Sequence, residues 1–292
     1  MSVIRIYFFD RKKTGLLLAM LLILTLACFA TGNLRSAAVM QPERDGVELV
    51  IIMYHSLLKD EGRAGQYIIS PNNIESDLIY LKEHGYNTIF MQELINYVYY
   101  GVGLPDKPVM ITLDDGYLNN MTYLLPLLQK HEMKAVVSVV GEFTDRFTNT
   151  PDRNANYAHM TWADISFMAA SGYVEIQNHS YCLHGQGKRV GAGRLKGETE
   201  TEYENALTAD ILLAQQKLKD NCGVVPTTFT YPFGFISAMS DSIMKRLGFL
   251  ATLSCYEHKN YIVRDPECLY SLGRYNRPGT ISTEKFMKRV NL

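Results

Sequence analysis

The chain has 292 residues, a formal net charge of −1, 47% apolar residues and 20% charged residues. A chain of this length forms one large domain or two small ones, and single α/β barrels often have this size. The nearly balanced charge gives no indication of binding to nucleic acid or to an acidic membrane surface. We therefore expect a globular protein without a nucleic-acid partner, and the composition leaves its oligomeric state open.

A basic segment followed by an apolar segment opens the chain. Four Arg or Lys residues lie between positions 5 and 13, and residues 16–30 carry no charge. This is the pattern of a secretory signal peptide or a signal anchor, with the basic flank in the cytoplasm and the rest exported. The uncharged run is at the short end of the roughly 17–25 residues that span a bilayer. We predict a signal peptide or membrane anchor over residues 1–32, a polar linker over 33–46 and one domain over 47–292. The domain would be anchored at the extracellular face of the membrane, or secreted if the segment is cleaved.

Four cysteines follow the N-terminal segment. An even number of cysteines in an exported chain permits disulfides. Their spacing matches neither a zinc knuckle nor a compact disulfide scaffold, and a domain of this size is stable without cross-links. We therefore expect mostly buried free thiols at Cys182, Cys222, Cys255 and Cys268.

Apolar runs and helical patterns alternate about seven times along the domain. The runs that predict strands are 49–55, 87–91, 108–113, 134–140, 174–180, 228–232, 249–255 and 269–273. Helical spacing is found at 71–84, 92–100, 119–131, 161–171, 202–221 and 241–247, and the Gly-rich residues 185–200 predict an exposed loop. Alternating strands and helices indicate a parallel sheet in an α/β fold, most simply a barrel.

The central predicted strand ends in two adjacent carboxylates. Residues 108–113 are typical of a buried strand, and Asp114, Asp115 and Gly116 follow it directly. Adjacent side chains point to opposite faces of a strand, but where the backbone turns into a loop both can reach one cavity. Two carboxylates this close do not both ionise in a dry site unless a cation is present. The alternative is that one of them caps the helix predicted over 119–131.

Polar side chains follow three other predicted strands: His55, His179 and Tyr231. In parallel barrels the catalytic groups collect at the C-terminal ends of the strands. We therefore expect these side chains and the aspartate pair around one cavity. His184 lies five residues after His179, and on a strand that leads into a loop both rings can face one ion. For either histidine alone, the alternative is a structural imidazole.

Two imidazoles and one carboxylate, with a fourth position open for water, are the ligand set of a catalytic zinc site. We expect one divalent ion, with Zn²⁺ as the first choice and Co²⁺, Ni²⁺ or Fe²⁺ as alternatives. The ion lowers the pKa of a bound water toward about 7. The carboxylate that is not a ligand would then act as general base for that water.

Roughly residues 47–290 resemble the polysaccharide deacetylases of carbohydrate esterase family four. Residues 112–116, TLDDG in one-letter code, are similar to the Thr-Phe-Asp-Asp-Gly motif of that family. The resemblance implies that Asp114 is the catalytic base and Asp115 a metal ligand. It also implies the fold of the family, a distorted (β/α)₇ barrel.

The two histidines also resemble a motif of this family. His179 and His184 are similar to the paired metal histidines of the family, and their spacing is one residue longer than in most members. This longer spacing resembles the branch that acts on exported poly-N-acetylglucosamine, as do Met53-Tyr54-His55 and residues 81–86. The resemblance therefore implies that both histidines are metal ligands.

The chain departs from the family at the motif Arg-x-Pro-Tyr. Thr230, Tyr231, Pro232 and Phe233 stand at that place, so the arginine that orients the catalytic base is missing. The turn is expected to keep a role at the substrate, with the backbone N–H of Phe233 offered to the oxyanion. Arg274 is expected to take over part of the orienting role.

The second departure concerns the general acid. The family's C-terminal Leu-x-His, which supplies this acid, has no match in residues 272–276. We expect His55 to replace it, or the activity to be low.

These observations predict a metal-dependent hydrolase that removes N-acetyl groups from N-acetylglucosamine in cell-wall or other extracellular polysaccharide. One alternative is an esterase that removes O-acetyl groups from xylan or a similar polymer with the same site. The other is a glycan-binding relic without activity, but Asp114, Asp115, His179 and His184 argue against it, because a relic needs no base beside a metal.

Overall fold

The computed structural model describes residues 46–185 and 187–292. The predicted signal or anchor segment over 1–32 and nearly all of the linker over 33–46 lie outside these residues. Within the described part, no helix is long and apolar enough to cross a membrane. Export and anchoring therefore stay predictions from the sequence.

A curved sheet of mostly parallel strands forms the centre of the domain. The strands are β1 Val47–Tyr54, β2 Ser56–Leu57, β3 Ile68–Ile69, β4 Asn87–Thr88, β5 Pro108–Leu113, β6 Ala135–Val139, β7 Val174–Asn178, β8 Thr228–Thr230, β9 Ala251–Leu253, β10 Asn260–Ile262 and β11 Tyr275–Asn276. Strands β1, β5, β6, β7, β8 and β9 lie side by side in that order and run parallel. Strand β4 pairs in parallel with the first two residues of β5, β10 pairs antiparallel with β1, and β2 and β3 form a separate pair.

The segment after β10 closes the sheet into a barrel. Leu272 forms a parallel bridge with Leu253 at the end of β9, and β11 pairs in parallel with β1. The N–H of Arg277 then donates to the carbonyl of Met53 at 3.0 Å. Seven parallel segments thus form a ring, which confirms the predicted distorted (β/α)₇ barrel.

The strand predicted over 269–273 was wrong in its position. Residues Pro266–Leu269 form a 3₁₀ helix, and regular pairing begins only at β11. Between them the side chain of Asn260 accepts from the Gly273 N–H at 2.8 Å and donates to the Gly273 carbonyl at 2.9 Å. A side chain therefore replaces the neighbouring strand as the hydrogen-bond partner of the backbone at this point.

Helices pack around the barrel and connect its strands. They are α1 Pro71–Glu83, α2 Met91–Tyr100, α3 Leu125–His131, α4 Gly141–Asn149, α5 Trp162–Ala170, α6 Glu200–Cys222, α7 Ser240–Arg246 and α8 Thr283–Val290. Before α5 and α6, Thr161 and Thr199 accept from the N–H three residues later and an acidic side chain there binds back, so both helices begin with a capping box. Helices α4 and α8 were not predicted from the sequence.

Both faces of the central strands are buried, which explains their uninterrupted apolar sequences. On β1, Val50 and Ile52 pack in one cluster with Leu78 of α1, while Leu49 and Ile51 pack in a second cluster. Burying one such aliphatic side chain stabilises the fold by about 1.5–3 kcal/mol. The barrel is therefore a firm support for the loops that leave its C-terminal edge.

The four cysteines after the N-terminal segment are free thiols. Cys182 is exposed and the other three are partly buried, so the expectation of mostly buried thiols was wrong in degree. No disulfide links them in the described part of the chain.

A carboxyl near the start of β7 makes the stability of the fold sensitive to pH. Glu175 is partly exposed and accepts hydrogen bonds from the Gln92 N–H at 3.2 Å and from the Gln177 side chain. Burial outweighs these bonds and raises the pKa of Glu175 to about 7, with the nearby Glu93 carboxylate adding to the shift. Glu93 is itself paired with Lys134 at 2.8 Å.

The folded protein should therefore hold a proton on Glu175 that the unfolded chain releases. As pH rises from 4.5 to about 7, the free energy of unfolding should fall by about 2–3 kcal/mol, because the folded state binds more protons over this window. Glu175→Gln should lack this decrease. Urea unfolding of the metal-free protein at both ends of the window measures it, and equal pH slopes in the two proteins would contradict the assignment.

Candidate metal centre

The C-terminal edge of the barrel encloses a cavity of about 560 Å³. It is lined by side chains that follow β1, β5, β7 and β8, together with residues of the loops around it. These are Met53, His55, Gln66, Tyr67, Asp114, Asp115, Tyr117, His179, His184, Phe233, Cys255, Glu257 and Asn276. The structure thus brings together five of the residues that the sequence placed at strand ends or beside them.

Three of these side chains form a cluster suited to a metal ion. One ligand atom each from Asp115, His179 and His184 lie within 4.8 Å of one another. The Nε2 atom of His184 is 3.0 Å from Asp115 Oδ1, and His179 Nε2 is 3.6 Å from the same oxygen. Asp115 Oδ1 and His179 Nε2 are buried and have no hydrogen-bond partner. Buried polar atoms without partners are costly, so this donor set fits a divalent cation.

The backbone after β5 explains how adjacent aspartates face one cavity. Asp115 has a φ of 70° and Gly116 one of 69°, so two left-handed residues follow each other. A Cβ at Gly116 would lie 2.9 Å from a methyl carbon of Val139, which leaves room only for glycine. Neither aspartate caps a helix, since the next helical segment, Asn120–Leu124, is preceded by Asn119. The capping alternative is therefore wrong.

His179 is fixed by the neighbouring strand. Its Nδ1 lies 2.8 Å from the carbonyl oxygen of Thr230 at the end of β8. A carbonyl only accepts hydrogen bonds, so Nδ1 carries the proton and Nε2 keeps its lone pair for an ion. His179 is fully buried, whereas His184 is partly exposed and its ring lies 4.4 Å from that of Phe233.

Asp114 is held by an arginine that is distant in sequence. Arg274 donates to both its carboxylate oxygens, at 2.7 and 2.8 Å, and neither residue is more than 1% exposed. Burial alone would raise the pKa of Asp114, but the Arg274 guanidinium outweighs it and lowers this pKa below the ordinary value. Arg274 is fixed in turn by donating from Nε to the carbonyl of Ser254 at 2.7 Å. Asp114 is therefore ionised and locked in orientation.

His55 also lies close to Asp114. Its Nε2 is 4.0 Å from Asp114 Oδ2, and its ring packs against Tyr67 with centroids 4.7 Å apart. Burial lowers the pKa of His55, although the charge of Asp114 opposes this effect. His55 is therefore neutral near pH 7 unless a proton reaches it during a reaction.

The turn after β8 contributes Phe233 to the cavity wall, but not Tyr231 or Pro232. Tyr231 is fully buried and its hydroxyl donates to Asp241 at 2.8 Å. Phe233 has a φ of 58°, unusual for a residue with a Cβ, and this turns its ring toward His184. Tyr231 and Pro232 are thus buried beneath the turn and do not line the cavity.

Several cavity residues were not identified from the sequence. Tyr67 and Gln66 lie in the loop between β2 and β3, where no strand-end pattern points to them. Cys255 and Glu257 follow β9, so the rule that located His55 also applied to them. They carry no recognisable motif, and only the closed barrel brings them to the cavity.

Comparisons with known proteins agree with this geometry. The family described as polysaccharide deacetylase matches residues 101–252. A poly-beta-1,6-N-acetyl-D-glucosamine N-deacetylase of Escherichia coli strain K12 is 25% identical over 224 residues, which are 68% of this chain and 33% of that protein. The chain thus spans about a third of the length of this relative.

Solved structures show the same architecture. A de-N-acetylase from Aggregatibacter actinomycetemcomitans superposes with a TM-score of 0.69 at 24% identity, over 83% of this chain and 99% of that one. The deacetylase domain of BpsB from Bordetella bronchiseptica gives a TM-score of 0.63 at 25% identity, over 78% and 94%. The barrel is therefore a fold shared with both.

Proposed function

Because the chain belongs to the polysaccharide deacetylase family, we propose that it is a metal-dependent N-deacetylase of a polysaccharide containing N-acetylglucosamine. The observation that carries this proposal is the ligand cluster of Asp115, His179 and His184 directly beside the buried pair of Asp114 and Arg274. Hydrolysis of an amide requires a hydrolytic water and a base close together, and this arrangement offers both.

The three clustered side chains would hold the ion. When bound, a divalent ion there lowers the pKa of a water molecule and polarises a carbonyl oxygen. The same three residues leave part of the cavity open, next to Asp114 and Phe233, for the acetyl group of a sugar.

Asp114 would accept the proton of the attacking water. Each of its oxygens accepts one N–H of Arg274, so each keeps a lone pair that can take a proton. The water oxygen bonds to the acetyl carbon, the bond between that carbon and the sugar nitrogen then breaks, the nitrogen takes a proton, and acetate and a free amine result. The backbone N–H of Phe233 would donate to the oxygen on which negative charge develops.

We infer that poly-β-1,6-N-acetylglucosamine is the first substrate to test, because the E. coli relative is named for it. Zinc-loaded full-length protein should release acetate from this polymer and leave free amines. Chitin oligomers, cell-wall glycan and O-acetylated xylan are the comparison substrates, measured as acetate per chain and minute. Release from xylan alone would support the esterase alternative, and release from none would support a glycan-binding relic.

We also propose that the protein acts outside the cytoplasm. The support is the basic and apolar pattern over residues 1–32. Detection of the full-length protein in a membrane fraction would indicate an anchor, and a shortened protein in the medium would indicate cleavage. Retention of the whole protein in the cytosol would contradict export.

His55 is the candidate for protonating the departing nitrogen. His55→Ala should leave zinc affinity unchanged and lower amide deacetylation by about 10²-fold or more. An activated acetyl ester should be affected much less, because its leaving group departs without a proton. Zinc titration and acetate release from both substrates measure the difference.

His84→Ala is a suitable control, since His84 is exposed and stacks on Tyr80 outside the cavity. It should change neither rate. Equal losses on amide and ester in His55→Ala would assign His55 to substrate placement and leave the acid to another group.

A further inference from the structure

The loop that joins the two histidines is held by hydrogen bonds at every residue before His184. The N–H of His179 donates to the Val139 carbonyl at 3.0 Å, and that of Ser180 to Asn178 Oδ1 at 2.7 Å. The N–H of Leu183 donates to Ser180 Oγ at 3.2 Å. The remaining two backbone N–H groups, at the middle of the loop, belong to Tyr181 and Cys182.

Both of these N–H groups donate to one carboxylate on a distant helix. Asp210 of α6 accepts from Tyr181 through Oδ1 at 2.8 Å and from Cys182 through Oδ2 at 2.9 Å. Asp210 is 9% exposed, so the bonds lie largely out of water. Hydrogen bonds to an ionised carboxylate are about twice as strong as those between neutral groups.

The loop depends on this external support because its own backbone is unusual. Ser180 has a φ of 76°, a left-handed conformation that costs free energy in a residue with a Cβ. The carbonyls of Ser180 and Tyr181 accept from Gly141 and Glu142 at the start of α4, on the other side of the loop. Asp210 therefore holds one side of the turn and α4 holds the other.

We propose that Asp210 is a positioning residue for the metal ligands: it fixes the turn that brings His184 within 3.0 Å of Asp115. This inference rests on the proposed metal centre. The five-residue separation of His179 and His184 does not bring their rings together by local geometry alone. A carboxylate that binds two consecutive N–H groups from outside selects the one loop conformation in which both rings face the same oxygen.

Asp210→Asn tests the proposal with little change in shape. An amide presents one acceptor and one donor, so one of the two loop N–H groups would face an NH₂ and lose its bond. We expect the affinity for Zn²⁺, measured on the full-length metal-free protein by competition with a chromogenic chelator, to fall by about 10–100-fold. The visible spectrum of the Co²⁺-loaded variant should also change, because it reports ligand geometry.

Glu204→Gln is the matched control, since Glu204 lies on the same helix and pairs with Arg246 at 2.6 Å. It should keep the wild-type Zn²⁺ affinity and Co²⁺ spectrum. A lowered unfolding temperature of metal-free Asp210→Asn, combined with wild-type affinity and spectrum, would overturn the proposal and leave a purely structural role.

If Asp210→Asn does not fold, Asp210→Glu serves instead, because it keeps the carboxylate but displaces it by one methylene. The Zn²⁺ affinity of Asp210→Glu should be lower than that of the wild type, and an affinity equal to that of the wild type would overturn the proposal. Absence of Zn²⁺ binding by the wild-type protein itself would contradict the proposed function.

Discussion

Replacement of Asp114 by Asn is expected to lower deacetylation by about 10²–10⁴-fold, the range typical of general acid–base catalysis, while the bound ion is retained. The carboxylate of Asp114 accepts hydrogen bonds from Arg274 and does not belong to the ligand cluster. Asp115→Asn should behave in the opposite way and lower the affinity for the ion, because a neutral amide is a weaker ligand for a hard cation. Acetate release and metal content of the purified variants measure the two effects.

His179→Ala and His184→Ala provide the reference for loss of the ion. The doubly substituted protein should bind none, whereas the wild type should bind about one divalent ion per chain. Equal metal loss in Asp114→Asn and Asp115→Asn would contradict the assignment of Asp114 as base and Asp115 as metal ligand. Some coupling is expected, since adjacent carboxylates share one electrostatic environment.

Arg274→Met is expected to cause a large loss of stability, because it leaves a buried carboxylate without a partner. Removing one member of a buried ion pair typically costs about 3–5 kcal/mol. Without the guanidinium, the effect of burial on the pKa of Asp114 is less opposed, so this pKa rises and a smaller fraction of molecules carries the ionised base. Urea unfolding and the rate of deacetylation per folded molecule should therefore both fall.

Two controls separate these effects. Combining Arg274→Met with Asp114→Asn removes both charges and should restore much of the stability, but none of the activity. Arg277→Met breaks another fully buried pair, with Asp77 at 2.9 Å, whose side chains do not line the cavity. It should be similarly destabilised and keep its activity per folded molecule. Wild-type activity in Arg274→Met would contradict the orienting role.

Much of this architecture could be predicted from the sequence. The apolar run over residues 108–113 requires burial on both faces, and the alternation of strands and helices requires a parallel sheet. Parallel strands end at one edge, so Asp114, Asp115 and His179 had to lie near one another. Local patterns determine such features because periodicity and turn residues act over only a few positions. Helix α4 was not predicted from the sequence, because its buried residues are Gly141 and Thr144 and neither is strongly apolar.

Only the tertiary structure decided what surrounds these side chains. The sequence suggests Arg274 as an orienting residue, but only the fold brings it to Asp114 across 160 residues of chain. The fold likewise brings Asp210 to the histidine loop across 28 and 29 residues. Tyr231, which the sequence placed at the substrate, is turned inward toward Asp241. Such pairings depend on the order of strands, on barrel closure and on the rotation of each helix, which no local pattern encodes. The sequence by itself therefore determined the candidate ligands and base, and the closed barrel decided which groups hold them in place.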